Sequence, residues 1–177
     1  PTPGQPQKKP RVIPIAVGLL GANGNEVAPT QILEMDKRQQ SFKWEGLSAK
    51  PTPSILRGFS APVILERDTN DAERAFLLAH DTDPFNRWEA GRELAKSTLL
   101  AMIEHGAAPN ADYLDGMLAV LRDETLDPAT RALMLSLPSQ SDLTQILADK
   151  GVTPDPQAIY DAVQTLRLAM AQHMQDT

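Results

Sequence analysis

The sequence predicts an all-β sandwich followed by an all-α antiparallel helical array. Three observations carry this. Apolar residues alternate up to Arg67 and recur at helical spacing after it. Turn-forming residues break the first part into short runs. Helix-start signals such as Asp83-Pro84 and Asp127-Pro128 punctuate the second.

In the first part, Val12, Ile13, Ile15, Val17 and Leu19 form an aliphatic run with roughly two-residue alternation, ending at Gly21-Ala-Asn-Gly-Asn25. Asn23-Gly24 predicts a hairpin with a type I′ turn, since both residues tolerate positive φ. Pro14 cannot donate to a ladder, so this strand is expected at an edge or bulged there. Ile32 to Met35 reads as a short strand. Phe42 and Trp44 are expected to face inward from another, with Lys43 and Glu45 outward. Ser54 to Phe59 and Pro62 to Glu66 are expected to add strands. Short strands separated by turns point to a sandwich rather than a parallel sheet.

A polar break, Glu66-Arg-Asp-Thr-Asn-Asp71, marks the boundary, giving domains at 1–68 and 69–177. Asn70 followed by Glu73 is a capping-box-like pattern that opens a short helix, and Ala72, Ala75, Phe76 and Ala79 are expected on one apolar side of it. Asp83-Pro84 opens a helix that Gly106 closes, with Phe85, Trp88, Ala95, Leu99, Met102 and Ile103 as its apolar positions. Asp127-Pro128 repeats the start signal before Ala129, Ala132, Leu133 and Leu137. Further helices are expected at Ala111 to Arg122, Asp142 to Asp149 and Pro156 to Gln175. Short helices with tight links pack as antiparallel neighbours. No fixed-period repeat is visible.

Composition narrows the function. The 41% hydrophobic and 23% charged residues are those of an ordinary globular protein. Seventeen Lys and Arg against 23 Asp and Glu give −6, without a basic run for nucleic acid. No cysteine is present, which removes disulfides and thiolate metal sites and fits a reducing, cytoplasmic setting. No apolar run reaches the roughly 18 residues of a membrane span, and no signal peptide is visible. The opening Pro1-Thr-Pro-Gly-Gln-Pro lacks an initiator Met and reads as a piece of something longer.

Two runs are distinctive: Pro51-Thr-Pro-Ser-Ile-Leu-Arg-Gly-Phe-Ser-Ala-Pro-Val63 and His80-Asp-Thr-Asp-Pro-Phe-Asn-Arg-Trp-Glu-Ala90. They closely resemble the middle of bacterial aminopeptidase N, the alanyl aminopeptidases among the H-E-x-x-H zinc metallopeptidases. The resemblance is strongest from Phe42 to Ala90, good around Arg11 to Leu20, and weaker after Gly106, where Leu118 to Thr130 and Leu135 to Ser139 carry it. It implies an immunoglobulin-like sandwich and then the first helices of a C-terminal helical domain that curls over the active site. It further implies zinc and peptide substrates for the longer parent, and the parent's remaining domains as partners.

The catalytic residues of that family find no counterpart. Zinc binding there needs two histidines at i and i+4, a general-base Glu between them and a second Glu ligand. Here the histidines stand at 80, 105 and 173, none four residues from another and none followed by Glu. Gly21-Ala22-Asn23-Gly24-Asn25 echoes the family's Gly-Ala-Met-Glu-Asn loop, but Gly24 replaces the carboxylate. No catalytic, cofactor-binding or metal-binding residue is therefore carried over, and no cofactor is expected in this chain.

Other polar residues read as structural. Asp83 is a cap, and His80 sits near a helix end where the dipole favours a cation. Trp88 is expected as a core anchor, with Arg87 and Glu89 on the wet face. Ser60, Ser97 and Ser141 lie in no G-x-S-x-G context. Asp123, Glu124 and Asp127 surround a helix start, and Met102, Met117, Met134, Met170 and Met174 fill apolar faces. The function expected is a non-catalytic structural fragment that links a catalytic domain to a helical cap. The alternative is a stand-alone interaction module; an independent enzyme has no motif in its favour. In the last helix, Ile159, Val163, Leu166 and Met170 are expected to fold inward, while the flank marked by Leu168 pairs with another copy.

Overall fold

The aliphatic run of the first part forms β1, Ile13–Leu20, in the computed structural model, which describes residues 2–9 and 11–175. By its internal contacts the chain divides into two units, Pro1–Glu66 and Arg67–Thr177.

In the first unit β1 is the centre of a three-stranded antiparallel sheet. It lies between β2, Glu26–Met35, and β3, Thr52–Ile55. Ala16 to Leu20 are all buried, so both faces of that half of β1 are covered. Pro14 thus lies on a central strand, against expectation, but β3 pairs only with Val17 to Leu20. Along the open edge the Ala16 N–H is taken by Ser60 Oγ at 2.9 Å, and Pro14 has no N–H to satisfy. The irregularities in the β1–β2 register fall between Val17 and Leu20, not at Pro14.

The hairpin forms, but not with a type I′ turn. Within the turn, residues 21–25, only Gly24 has positive φ, at 80°. Its N–H reaches Gly21 O at 2.9 Å, and Gly21 N–H reaches Asn25 O at 2.8 Å. This is the longer loop closed by one left-handed glycine. Three other strand expectations are corrected. Phe42 and Trp44 alternate in burial with exposed Lys43 and Glu45, yet the segment is in no strand. Beyond β3 the chain turns through a short 3₁₀ segment, Arg57–Phe59, and Pro62 to Glu66 is also outside any strand. Alternation records a half-buried surface; a ladder also needs a neighbouring edge.

Arg57 holds this unit together. Its guanidinium is buried, donates from Nε to Ser54 Oγ at 2.8 Å and from Nη1 to Thr30 Oγ1 at 2.9 Å, and ion-pairs with Glu26. It lies directly on Gly18, where any Cβ would overlap the guanidinium. Gly18→Ala is therefore expected to destabilise the chain by about 1–3 kcal/mol, as overpacking does. Chemical denaturation tests this, and an unchanged midpoint would show that the guanidinium can move aside at no cost.

The second unit is helical: α1 Asp71–His80, α2 Pro84–His105, α3 Ala111–Arg122, α4 Pro128–Met134, α5 Gln140–Asp149 and α6 Pro156–Gln175. Each start has a local cause. Asn70, Asp83, Asn110 and Asp127 each accept backbone N–H groups of the following turn. Asp155 does the same for Gln157 at 2.9 Å and Ala158 at 3.3 Å. Ser139 and Asp142 form a reciprocal capping box, which moves the start of α5 two residues ahead of the expected Asp142. The box expected at Asn70 is half formed, because the Glu73 carboxylate pairs with Arg67 instead. Gly106, at φ 63°, closes α2.

Helix α1 packs on α2 and α3, and α6 packs on α2, α3 and α5. The fully buried residues of α1 are Leu77 and Leu78; of the four expected on its apolar side, Ala75 packs half-buried against the core, Phe76 and Ala79 are half-buried and Ala72 is exposed. Leu78 enters a notch where Gly91 of α2 and Gly116 of α3 leave room. Phe85 is exposed and Arg87 buried, so α2 turns its Arg87–Ala90–Gly91–Leu94 side inward. In α4, Met134 is buried and Leu133 exposed. Residues Ile159, Val163, Leu166 and Met170 of α6 are buried as expected, and Leu168 and Tyr160 face solvent.

Candidate functional site

The second unit contains a cleft of about 390 Å³ where the start of α1, the C-terminal half of α2 and the loop into α3 meet. Asp71, Ser97, Thr98, Asn110 and Asp112 line it with alanines 101, 107, 108 and 111. Ser97 Oγ is 3.0 Å from Asp71 Oδ1 and 3.1 Å from Leu94 O, so its one proton has two acceptors. Asp71 also takes Arg74 at 2.7 Å, and Asn110 is engaged in capping Tyr113 at 3.2 Å. The Thr98 hydroxyl is buried and has no hydrogen-bond partner among the described residues. A nucleophilic serine needs a base positioned to take its proton. The lining residues include no histidine, and Asp71 is already held by Arg74. The cleft can hydrogen-bond a polar group, and nothing in its geometry activates the hydroxyl.

The histidines lie apart. His80 ends α1 and lies against Phe76 in a tilted arrangement, with ring centroids 4.9 Å apart and the planes at 50°. His105 lies in the last turn of α2, and His173 of α6 meets Asp115 of α3 at 2.8 Å. Among the described residues no three His, Asp or Glu side chains are grouped to hold a metal ion. The His80-Asp81-x-Asp83 motif builds the α1–α2 turn: buried Asp81 accepts the Asp83 N–H at 3.0 Å, and Asp83 caps α2 through Asn86 N–H at 2.9 Å.

Perturbed acidities mark structure rather than acid–base chemistry. Hydrogen bonds from Thr125, then Arg87, hold the Asp123 carboxyl at about 2. Asp127 and Asp142 are lowered by the groups they cap, Thr130 and Ser139 first. Burial raises Tyr113, whose hydroxyl sits 3.8 Å from Met170 Sδ.

The polar feature that sequence reasoning missed is Arg87. Its Nε donates to Leu78 O at 2.7 Å and its Nη1 ion-pairs with Asp123, tying α1, α2 and the α3–α4 link together. A signal was present: residues 87, 91, 94 and 98 recur at steps of four, three and four, so Arg87 shares the buried face. Trp88 is half-buried instead, between Phe85 at 5.8 Å and the Arg92 guanidinium at 5.5 Å.

Comparison with known proteins gives a consistent picture. Residues 1–68 match a domain of unknown function described as having an Ig-like fold (DUF3458), and residues 71–177 match its companion described as ARM repeats (DUF3458_C). The chain is 42% identical to aminopeptidase N of Caulobacter vibrioides, over 91% of this chain and 18% of that protein. It is 31% identical to aminopeptidase N of Escherichia coli, over 99% of this chain and 21% of that protein. Among solved structures it resembles Legionella pneumophila aminopeptidase A in complex with aspartic acid. The TM-score is 0.77 at 27% identity, over 94% of this chain and 19% of that one. The chain thus spans about a fifth of the length of the relatives it matches.

Proposed function

Because the chain belongs to the aminopeptidase N family, through an Ig-like domain followed by a helical domain of ARM repeats, we infer that it is a non-catalytic part of a zinc-dependent, cytoplasmic aminopeptidase that removes N-terminal residues from peptides. The observation that carries this reading is the span of the match, which takes in nearly all of this chain and only about a fifth of each relative. Residues 1–68, as a sandwich, link the catalytic domain to residues 69–177, the first antiparallel helices of a cap over the active site. The remaining domains of the longer protein are its partners. Zinc does not fit the residues present: the three histidines sit on three separate helices, and His173 is engaged with Asp115. The zinc of the longer enzyme belongs to residues outside this chain.

The purified chain is expected to show no turnover of an alanyl anilide and less than stoichiometric zinc by elemental analysis. Zinc-dependent turnover that survives replacement of His80, His105 and His173 would sink this reading. The exposed flank of α6 is the surface through which copies of the chain associate. Leu168→Glu is therefore expected to leave the helical content unchanged while lowering the dimer fraction in sedimentation at high concentration. A wild-type chain that is monomeric throughout would remove that surface from the account.

A further inference from the structure

The tip of the β1–β2 hairpin sets an exposed side-chain amide beside an unhindered backbone nitrogen. Asn23 faces solvent there and is followed by Gly24. Of the five asparagines, at 23, 25, 70, 86 and 110, it alone precedes a glycine. Glycine has no Cβ, so nothing on the residue crowds its nitrogen. Asn23 Oδ1 accepts the Asn25 N–H at 3.2 Å. That bond closes a ring around the Gly24 peptide unit and folds the side-chain carbonyl back toward the Gly24 nitrogen. The Gly24 N–H donates to Gly21 O at 2.9 Å and must leave it before the nitrogen can react. At an exposed loop tip such a bond opens at little cost.

The other four asparagines are placed differently. Asn70 and Asn110 are helix caps whose Oδ1 atoms hold the N–H groups of Glu73 at 2.8 Å and Tyr113 at 3.2 Å. Asn86 lies in the first turn of α2, where its backbone is held helical. Asn25 is also exposed, but the nitrogen after it belongs to Glu26, which carries a Cβ and is paired with Leu20 in the ladder.

We propose that Asn23 is a site of spontaneous covalent modification, deamidation through a cyclic imide formed with Gly24. Solvent base takes the Gly24 N–H proton, and the nitrogen attacks Asn23 Cγ. The bond from Cγ to the side-chain nitrogen breaks, and ammonia leaves. One water then opens the imide. Cleavage at Cγ gives aspartate; cleavage at the main-chain carbonyl gives isoaspartate, whose main chain runs through the former side chain. The balance is one water consumed and one ammonia released, with no other reactant. Either product carries a carboxylate that is ionised at neutral pH, adding one negative charge to the formal −6. The aspartyl form keeps an acceptor for the Asn25 N–H, whereas the isoaspartyl form lengthens the loop that Gly21 and Asn25 close.

Prolonged incubation of the chain in mildly alkaline buffer, followed by isoelectric focusing and peptide mapping, tests this. A band one charge more acidic is expected to accumulate, with aspartate and isoaspartate both found at position 23 and the other four amides intact. Asn23→Gln keeps an amide but cannot close the five-membered ring, so the acidic band should be lost. Acidification that persists in Asn23→Gln, or amide loss mapped to another asparagine, would overturn the assignment. So would an intact residue 23 in the folded chain under conditions where the urea-unfolded chain loses that amide, because the hairpin would then protect the site.

Discussion

Leu78→Ala is expected to destabilise the helical unit by about 3–5 kcal/mol, in the upper part of the range for a buried leucine. The cost depends on whether the neighbours can close the space left behind. Leu78 is fully buried, and two of its walls are the glycines Gly91 and Gly116. Those positions have no side chain to swing inward, so the cavity can shrink only if α2 or α3 moves bodily. The same notch predicts a coupled partner. A Cβ at Gly116 would lie 2.6 Å from Leu78 Cδ2 and 3.0 Å from its Cγ. Gly116→Ala alone should therefore destabilise, despite the roughly 1 kcal/mol that alanine gains over glycine in a helix. In the Leu78→Ala background that added methyl partly fills the cavity, so the double variant should be more stable than the sum of the singles by about 1 kcal/mol or more. Urea titration of all four proteins measures the cycle. A loss below about 1 kcal/mol for Leu78→Ala, or strict additivity, would show that the notch is not the constraint.

What could be read from the sequence was what is decided locally. Caps at Asn70, Asp83 and Asp127, and the stop at Gly106, each depend on one side chain or one φ angle within a few residues. Helix α6 spans Pro156–Gln175, the range expected from the sequence, and its periodic stripe is a local feature. What could not be read was decided by distant neighbours. Phe42 and Trp44 alternate as a strand would, but pairing needs an edge that no local pattern encodes. The apolar side read for helix α1 leaves out Leu78, whose burial depends on glycines 13 and 38 residues away in α2 and α3. The cleft was hidden for the same reason. Asp71, Ser97 and Asn110 come from three elements and become neighbours only when α1, α2 and α3 pack.

Arg87→Met is expected to cost about 3 kcal/mol, near the lower end for breaking a buried ion pair by removing one partner. Methionine keeps most of the volume, so the loss is electrostatic. Leu78 O, among the last carbonyls of α1, would lose the donor now at 2.7 Å, a cation at the negative end of the helix dipole. Asp123 would keep Thr125 but lose the guanidinium; at 21% side-chain exposure it retains some hydration, which limits the penalty. The pH dependence separates this from a packing effect. Asp123 titrates at about 2 in the folded chain against an ordinary 3.8, so its pairing stabilises fully above about pH 4 and is lost as pH falls through about 2. Part of that depression comes from Arg87, so the stability gap between wild type and Arg87→Met should narrow steadily from pH 4 to pH 2. Carboxylates common to both proteins cancel in the difference. A gap that stays constant down to pH 2 would mean that the pairing with Asp123 contributes nothing and that the loss comes from the bond to Leu78 O.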